Sequence, residues 1–140
     1  MAKSVSPRVS PEYVNPSSLA APRGYSNGVA YGGGGSVLFL AGQIGCDAAG
    51  RMVSDRFDEQ FDQALANLVA IVTEAGGCAA SIGKLTIYVI DCAEYTAARK
   101  LIGEHYRRRM GRHYPAMTLV EVRALLEPGA RLEIEGIAWL

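Results

Sequence analysis

The sequence predicts an α+β domain with its elements in the order ββαβαββ, and three observations carry that expectation. Phe57, Phe61, Leu65, Leu68 and Val72 recur at helical spacing between Ser54 or Asp55 and Ala75, where Gly76-Gly77 supplies a left-handed stop. Lys84 to Ile90 alternates with a period of two, setting Leu85, Ile87 and Val89 against Thr86, Tyr88 and Ile90. Two further strand candidates, Thr118 to Val122 and Ala130 to Trp139, flank a turn at Glu127-Pro128-Gly129.

The remaining elements follow from local signals. Residues 1 to about 22 carry Pro11, Pro16 and Pro22 among Ser and Ala without a sustained apolar period. They read as an irregular arm ahead of a single domain of residues 23–140, lying on the surface or on a neighbour. Val29-Ala30-Tyr31 and Val37-Leu38-Phe39-Leu40-Ala41 read as two strands joined by a hairpin turn through the Gly32 to Gly35 run. Those glycines are followed by neither Lys-Ser/Thr nor a helix, so they do not match a phosphate-binding loop. The strand from Lys84 is apolar on both faces and is expected at the centre of the sheet. Asp91-x-x-Glu94 resembles a capping box that opens a second helix running through Tyr95, Ala98, Ile102 and His105 toward Gly111.

Composition removes several function classes. A chain of 140 residues that is 49% hydrophobic has the size of one domain with its own core. Basic and acidic residues balance at 14 each, so the positive field used by nonspecific nucleic-acid or anionic-membrane binders is missing, and neither partner is expected. No apolar run approaches the roughly 20 residues that span a bilayer, and no signal pattern opens the chain; the expected compartment is the cytoplasm. Cys46, Cys78 and Cys92 are odd in number and lack CxxC spacing, which fits reduced thiols. His105 and His113 lack paired ligand spacing, so no metal site is expected.

Two helices cover only one face of such a sheet. In the last strand Leu132, Ile134, Gly136 and Ala138 share one face, while Arg131, Glu133, Glu135, Ile137 and Trp139 share the other. Carboxylates mixed with Ile137 and Trp139 suit a partly polar subunit interface, so the chain is expected to oligomerise.

Several phrases resemble, in order and spacing, the RidA/YjgF family. They are Gly24-Tyr25-Ser26, Leu40-Ala41-Gly42-Gln43-Ile44-Gly45, Gln63-Ala64-Leu65-Ala66-Asn67-Leu68, Ala75-Gly76-Gly77, Lys84-Leu85-Thr86-Ile87-Tyr88-Val89, Pro115-Ala116, Val120-Glu121-Val122 and Leu132-Glu133-Ile134-Glu135-Gly136-Ile137-Ala138. The resemblance spans residues 24–139. It implies a chorismate-mutase-like fold, assembled as a homotrimer whose sheets pack into a central barrel, with a small-molecule ligand in clefts between subunits. It also implies hydrolysis of reactive enamines and imines to 2-oxo acids and ammonia, without metal, cofactor or covalent nucleophile. Carried over by position, Glu133 holds the water, Tyr25 walls the pocket, and the backbone at Gly42 and around Leu119 completes it.

One departure bears on specificity. Deaminating members follow Pro-Ala with an arginine that grips the substrate carboxylate through two parallel hydrogen bonds. Here Met117 follows Pro115-Ala116, and losing such a contact costs on the order of 2–5 kcal/mol. Two compensations present themselves: Arg99 on the second helix reaching a carboxylate from another direction, or a larger, less polar substrate suited to a cleft lined by Met117 and Leu119. Arg107-Arg108-Arg109 with Arg112 forms a basic helix end. It either complements the helix dipole or docks a phosphorylated or thioester-linked carrier. The leading reading is an enamine or imine hydrolase with specificity shifted from small 2-imino acids. Its alternative is a noncatalytic ligand-binding or chaperone-like trimer, and an endoribonuclease finds little support in the balanced charge.

Overall fold

The computed structural model describes residues 10–140. The first nine residues of the expected arm lie outside them. The strands are β1 (Glu12–Val14), β2 (Gly28–Ala30), β3 (Val37–Gln43), β4 (Ile82–Val89), β5 (Ala116–Glu121) and β6 (Leu132–Trp139). The helices are α1 (Phe57–Glu74), α2 (Cys92–Ala97) and α3 (Arg99–Met110), with one 3-10 turn at Ala79–Ser81. The main sheet runs in the order β3-β6-β4-β5; β4 pairs parallel to β5 and antiparallel to β6, and β3 pairs antiparallel to β6. The strand from Lys84 is therefore central, as its two-faced apolar pattern requires.

α1 and α3 cover one face of this sheet. Phe57, Phe61, Ala64, Leu65, Leu68 and Val72 of α1 and Ile102, Tyr106 and Met110 of α3 are buried against Leu85, Ile87, Val89, Leu132 and Ile134. Each fully buried Leu, Val or Phe contributes roughly 1.5–3 kcal/mol, so the helical stripe read from the sequence decides where α1 lies. The α1–α3 seam is polar at its outer edge. Asp58 meets His105 Nε2 at 3.1 Å, and Arg109 donates two 2.9 Å hydrogen bonds to Asp62. That fork holds the Asp62 carboxyl below its ordinary range.

Three details correct the sequence reading. β2 does not form a hairpin with β3: it pairs with β1, which lies in the segment read as irregular, in a separate two-stranded sheet. Glu12–Val14 is too short to display a period, and Gly33, Gly34 and Gly35 all have positive φ, carrying the chain across to the main sheet instead of folding it back. The second helix is also interrupted, at Ala98 (φ −89°, ψ 3°). Thr96 Oγ1 donates back to Cys92 O at 3.1 Å, a bond that bends helices. Finally, the capping box at Asp91 is only half made. Asp91 Oδ1 accepts from Ala93 N at 2.8 Å, but Glu94 turns away to pair with Arg131.

Buried amides tie the loops to α1. Gln60, fully buried, donates to Ser54 O at 2.8 Å and Gly129 O at 3.0 Å and accepts from Arg131 N at 2.9 Å. Asn67 Nδ2 donates to Cys46 O at 3.0 Å, pinning the β3–α1 loop. The N-terminal hairpin is held by Tyr13, whose hydroxyl donates to His113 Nδ1, while His113 Nε2 donates to Ile82 O at 2.6 Å.

Two consequences are measurable. Gln60→Leu strands three backbone groups and should lower unfolding free energy by about 2–4 kcal/mol in urea titrations; a loss below about 1 kcal/mol would show those bonds to be dispensable. Burial pushes the His113 imidazole down from its ordinary value. The folded state thus binds fewer protons than the unfolded one just below about pH 6.5, and the stability present above that pH should fall as the solution is acidified through this window. His113→Gln should remove that part of the slope.

Candidate functional site

Among the described residues no helix covers the face of the sheet opposite α1 and α3. Phe39 is 77% exposed there, with Val37 and Ile137 at 44% and 42%. Glu133 of β6 stands on this face, opposite Tyr88 of β4. A register shift between Leu40 and Gln43 in β3 brings the Gly42 backbone under its carboxylate. A Cβ placed on Gly42 would overlap Glu133 Oε1 and sit 2.9 Å from Cδ, so only glycine leaves the carboxylate where it is. Tyr88 Oη donates to Glu135 Oε1 at 2.7 Å, and that bond raises the phenol's pKa. Among the described residues no side chain hydrogen-bonds Glu133, which leaves its half-buried carboxylate open to a water or a substrate.

A second group of site residues lies along β5. Ser26 bridges to Ala116 on the free edge of that strand, donating its N–H to Pro115 O at 2.9 Å and its Oγ–H to Tyr114 O at 2.6 Å. Tyr25, 38% exposed, is thereby fixed at the head of β5. Met117 and Leu119 alternate with Thr118 and Val120. They pair with Leu85 and Ile87 and pack, half-buried, against the helix-side core. Arg99 is the exposed first residue of α3, also on the helix side, and makes no ion pair among the described residues.

The strand registers divide these residues. Met117 neighbours Leu85, which neighbours Gly136, three positions along β6 from Glu133. Two strand spacings and three residue steps place the Cα atoms of Met117 and Glu133 roughly 14 Å apart, with side chains on opposite faces. One chain thus brings Glu133 to Gly42 and Tyr25 to the head of β5, but it does not bring the two groups together. Two surface hollows, of about 430 and 370 Å³, lie beside these groups: one between the start of α1 and the α2–α3 kink, around Glu94 and Arg131, the other at the β2 end of the open face, lined by Tyr31, Val37, Ile137 and Trp139. Neither is lined by Glu133, Gly42 or Met117. The basic end of α3 is less free than its sequence suggests, since Arg109 is held by Asp62 and Arg108 by His105.

Sequence reasoning missed Ser26, which sits inside the recognisable Gly24-Tyr25-Ser26 phrase, and the Tyr88–Glu135 pair, which the alternation of β4 and β6 already put on one face. It also missed the Tyr13–His113 contact, for which the sequence carries no signal.

Fold and site together define an α+β protein with a helix-covered sheet, a carboxylate beside Gly42 on its open face, and Tyr25, Met117 and Leu119 at the β5 edge. The family profile described as Endoribonuclease L-PSP matches residues 16–140. The human 2-iminobutanoate/2-iminopropanoate deaminase is 31% identical over 72% of this chain and 71% of its own length. Among solved structures, the Rid-family protein YyfB of Yersinia pestis superposes with a TM-score of 0.81 at 29% identity, covering 93% of this chain and 98% of its own. E. coli TdcF with bound serine superposes at 0.65 with 29% identity, covering 87% and 91%. The chain belongs to the RidA/YjgF family. No helix among the described residues is long and apolar enough to cross a membrane.

Because the atoms nearest a Gly42 Cβ belong to the far end of the flexible Glu133 side chain, Gly42→Ala should displace the carboxylate at little cost to the fold. The expected result is a thermal midpoint within about 3 °C of wild type, which is under about 1 kcal/mol, together with loss of whatever activity Glu133 supports. A collapse in stability would mean that Gly42 serves packing instead.

Proposed function

We propose that this protein is an imine and enamine hydrolase that works as a homotrimer, with each active cleft formed where the open sheet face of one subunit meets the β5 edge of the next. The observation that carries the reading is the division of the site: Glu133 with Gly42 lies on one face of the sheet, and Tyr25 with Met117 lies on the other side or at its edge. A second copy supplies the missing half, and it also covers Phe39, Val37 and Ile137. The deaminase activity in the human relative's name and the serine in TdcF support a small-molecule site of this kind. Free Cys46, Cys78 and Cys92 suit a reducing compartment such as the cytoplasm.

The chemistry asks little of the protein. An iminium carbon is already electrophilic, so a held water suffices. Glu133 takes a proton from that water as its oxygen bonds to the carbon. The proton then passes to the nitrogen. As the C–N bond breaks, the new hydroxyl gives its proton to Glu133 and becomes the carbonyl. That proton leaves with the ammonia, so iminium and water give a 2-oxo compound and ammonium. Tyr25 walls the ligand, and the Gly42 backbone lies beside the water. Met117 in place of the clamp arginine shifts preference from small 2-imino acids to imines on larger, less polar bodies. Arg99 stands on the helix side of the same edge, where it is able to meet a carboxylate from another direction, and Leu119 adds apolar surface beside Met117.

Glu133→Gln should lower ammonia release from an imine generated in situ by about 100-fold or more while ligand binding persists. Ammonia release at the uncatalysed rate in both proteins, with ligand binding intact, would favour a noncatalytic ligand-binding trimer, and equal turnover above that rate would remove Glu133 from the chemistry. Met117→Arg should raise kcat/KM on 2-iminopropionate by about 30-fold, the lower end of what a buried bidentate contact is worth. If the folded variant shows no gain, Met117 does not set the specificity.

A further inference from the structure

We infer that Tyr13 and His113 are positioning residues for the ligand: their hydrogen bond ties the N-terminal hairpin to the segment that opens β5 and so sets Tyr25 against the Met117 edge of the cleft. This rests on the reading of Tyr25 and Met117 as cleft residues.

The hairpin β1–β2 has no ladder to the main sheet beyond the single bridge from Ser26 to Ala116. It is held by individual hydrogen bonds, and most of them converge on one place. Tyr13 donates to the His113 ring, Ser26 Oγ donates to Tyr114 O at 2.6 Å, and Ser26 N donates to Pro115 O at 2.9 Å. Three consecutive residues before β5 therefore each take one bond from the hairpin, and Met117 follows two positions later. A separate bond, Tyr31 Oη to Ala80 O at 2.7 Å, anchors the chain beyond β2.

Tyr25 lies in the loop between the two hairpin strands. Its neck is closed by the Val14–Gly28 pair and by Asn27 N donating to Asn15 Oδ1 at 2.9 Å. A loop closed at its neck moves with its hairpin, so a tilt of β1 is passed to Tyr25. His113 is built to prevent that tilt. It is 6% exposed, Nε2 donates to Ile82 O, and the opposite nitrogen accepts from Tyr13. Only the neutral ring protonated on Nε2 makes both bonds. The Tyr13 ring also lies against the imidazole, with centroids 5.7 Å apart. The hydroxyl of Tyr106 donates to His113 O at 2.6 Å and fixes the backbone on which the ring is mounted.

The test compares wild type with Tyr13→Phe, His113→Leu and His113→Gln in the assembled protein. Gln retains an acceptor and a donor at similar reach. Two quantities are read: amide hydrogen exchange at Ser26 and Asn27, with the α1 amides from Ala64 to Leu68 as internal reference, and the dissociation constant for phenylpyruvate. Tyr13→Phe and His113→Leu should speed exchange at Ser26 at least tenfold with α1 unchanged and should weaken phenylpyruvate at least fivefold. His113→Gln should stay close to wild type in both. Unchanged exchange at Ser26 in Tyr13→Phe overturns the latch. Faster exchange with unchanged affinity overturns the positioning role while leaving the proposed hydrolase intact. Failure of wild type to bind phenylpyruvate at millimolar concentration overturns the inference, and the Glu133→Gln turnover comparison then decides separately whether the hydrolase reading survives.

Discussion

The alternation of β6 is the constraint on which the rest depends. Leu132, Ile134 and Ala138 are buried beneath α1 and α3, at 0%, 0% and 2% exposure, and β6 lies between β3 and β4 in the sheet. Because a strand's side-chain period is two, burying those three residues obliges Glu133, Glu135, Ile137 and Trp139 to face the other way. A one-residue slip would place two carboxylates in the core, at a cost far beyond the stability of a domain this size. The hydrophobic core thus decides on which face the candidate water-holding group stands, and the bulge in β3 decides what lies beneath it.

The same registers keep the candidate site residues apart within one chain. β4 transmits the alternation to β5, so that Thr118 and Val120 join Glu133 on the open face while Met117 and Leu119 join the core side. The family resemblance names these residues as parts of one cleft, and the sheet forbids them from meeting inside one subunit. The open apolar face and the divided group of candidate residues are the two observations on which the proposed trimer rests. The N-terminal hairpin belongs to this arrangement because Ser26, Tyr13 and His113 attach it to the strand edge that a neighbour's open face would meet.

Most of the main sheet and its helices was legible in the sequence because burial on one side writes a period into the chain. α1, β4 and β6 follow their apolar residues within a few positions. What was not legible came from interactions that leave no period. Glu12–Val14 is three exposed residues, and nothing in them announces a partner fourteen or more positions away. Ala98 interrupts the second helix through a backbone turn beside Thr96, with no glycine or proline to mark it. In the site, Glu133 and Gly42 were legible individually through the family phrases. Their contact depends on the bulge, and the separation of Met117 from Glu133 appears only once strand order is known.

The central claim is that each site takes Glu133 from one copy and Tyr25 from another. Its most direct measurement is complementation between Glu133→Gln and Tyr25→Ala chains, each expected to have lost turnover by itself, dissociated together and reassembled in equal amounts. Random assortment around a closed ring gives about a quarter of the sites both native side chains, so the mixture should recover about a quarter of wild-type turnover. A mixture as inactive as its parents would contradict the shared site and return both residues to a single subunit.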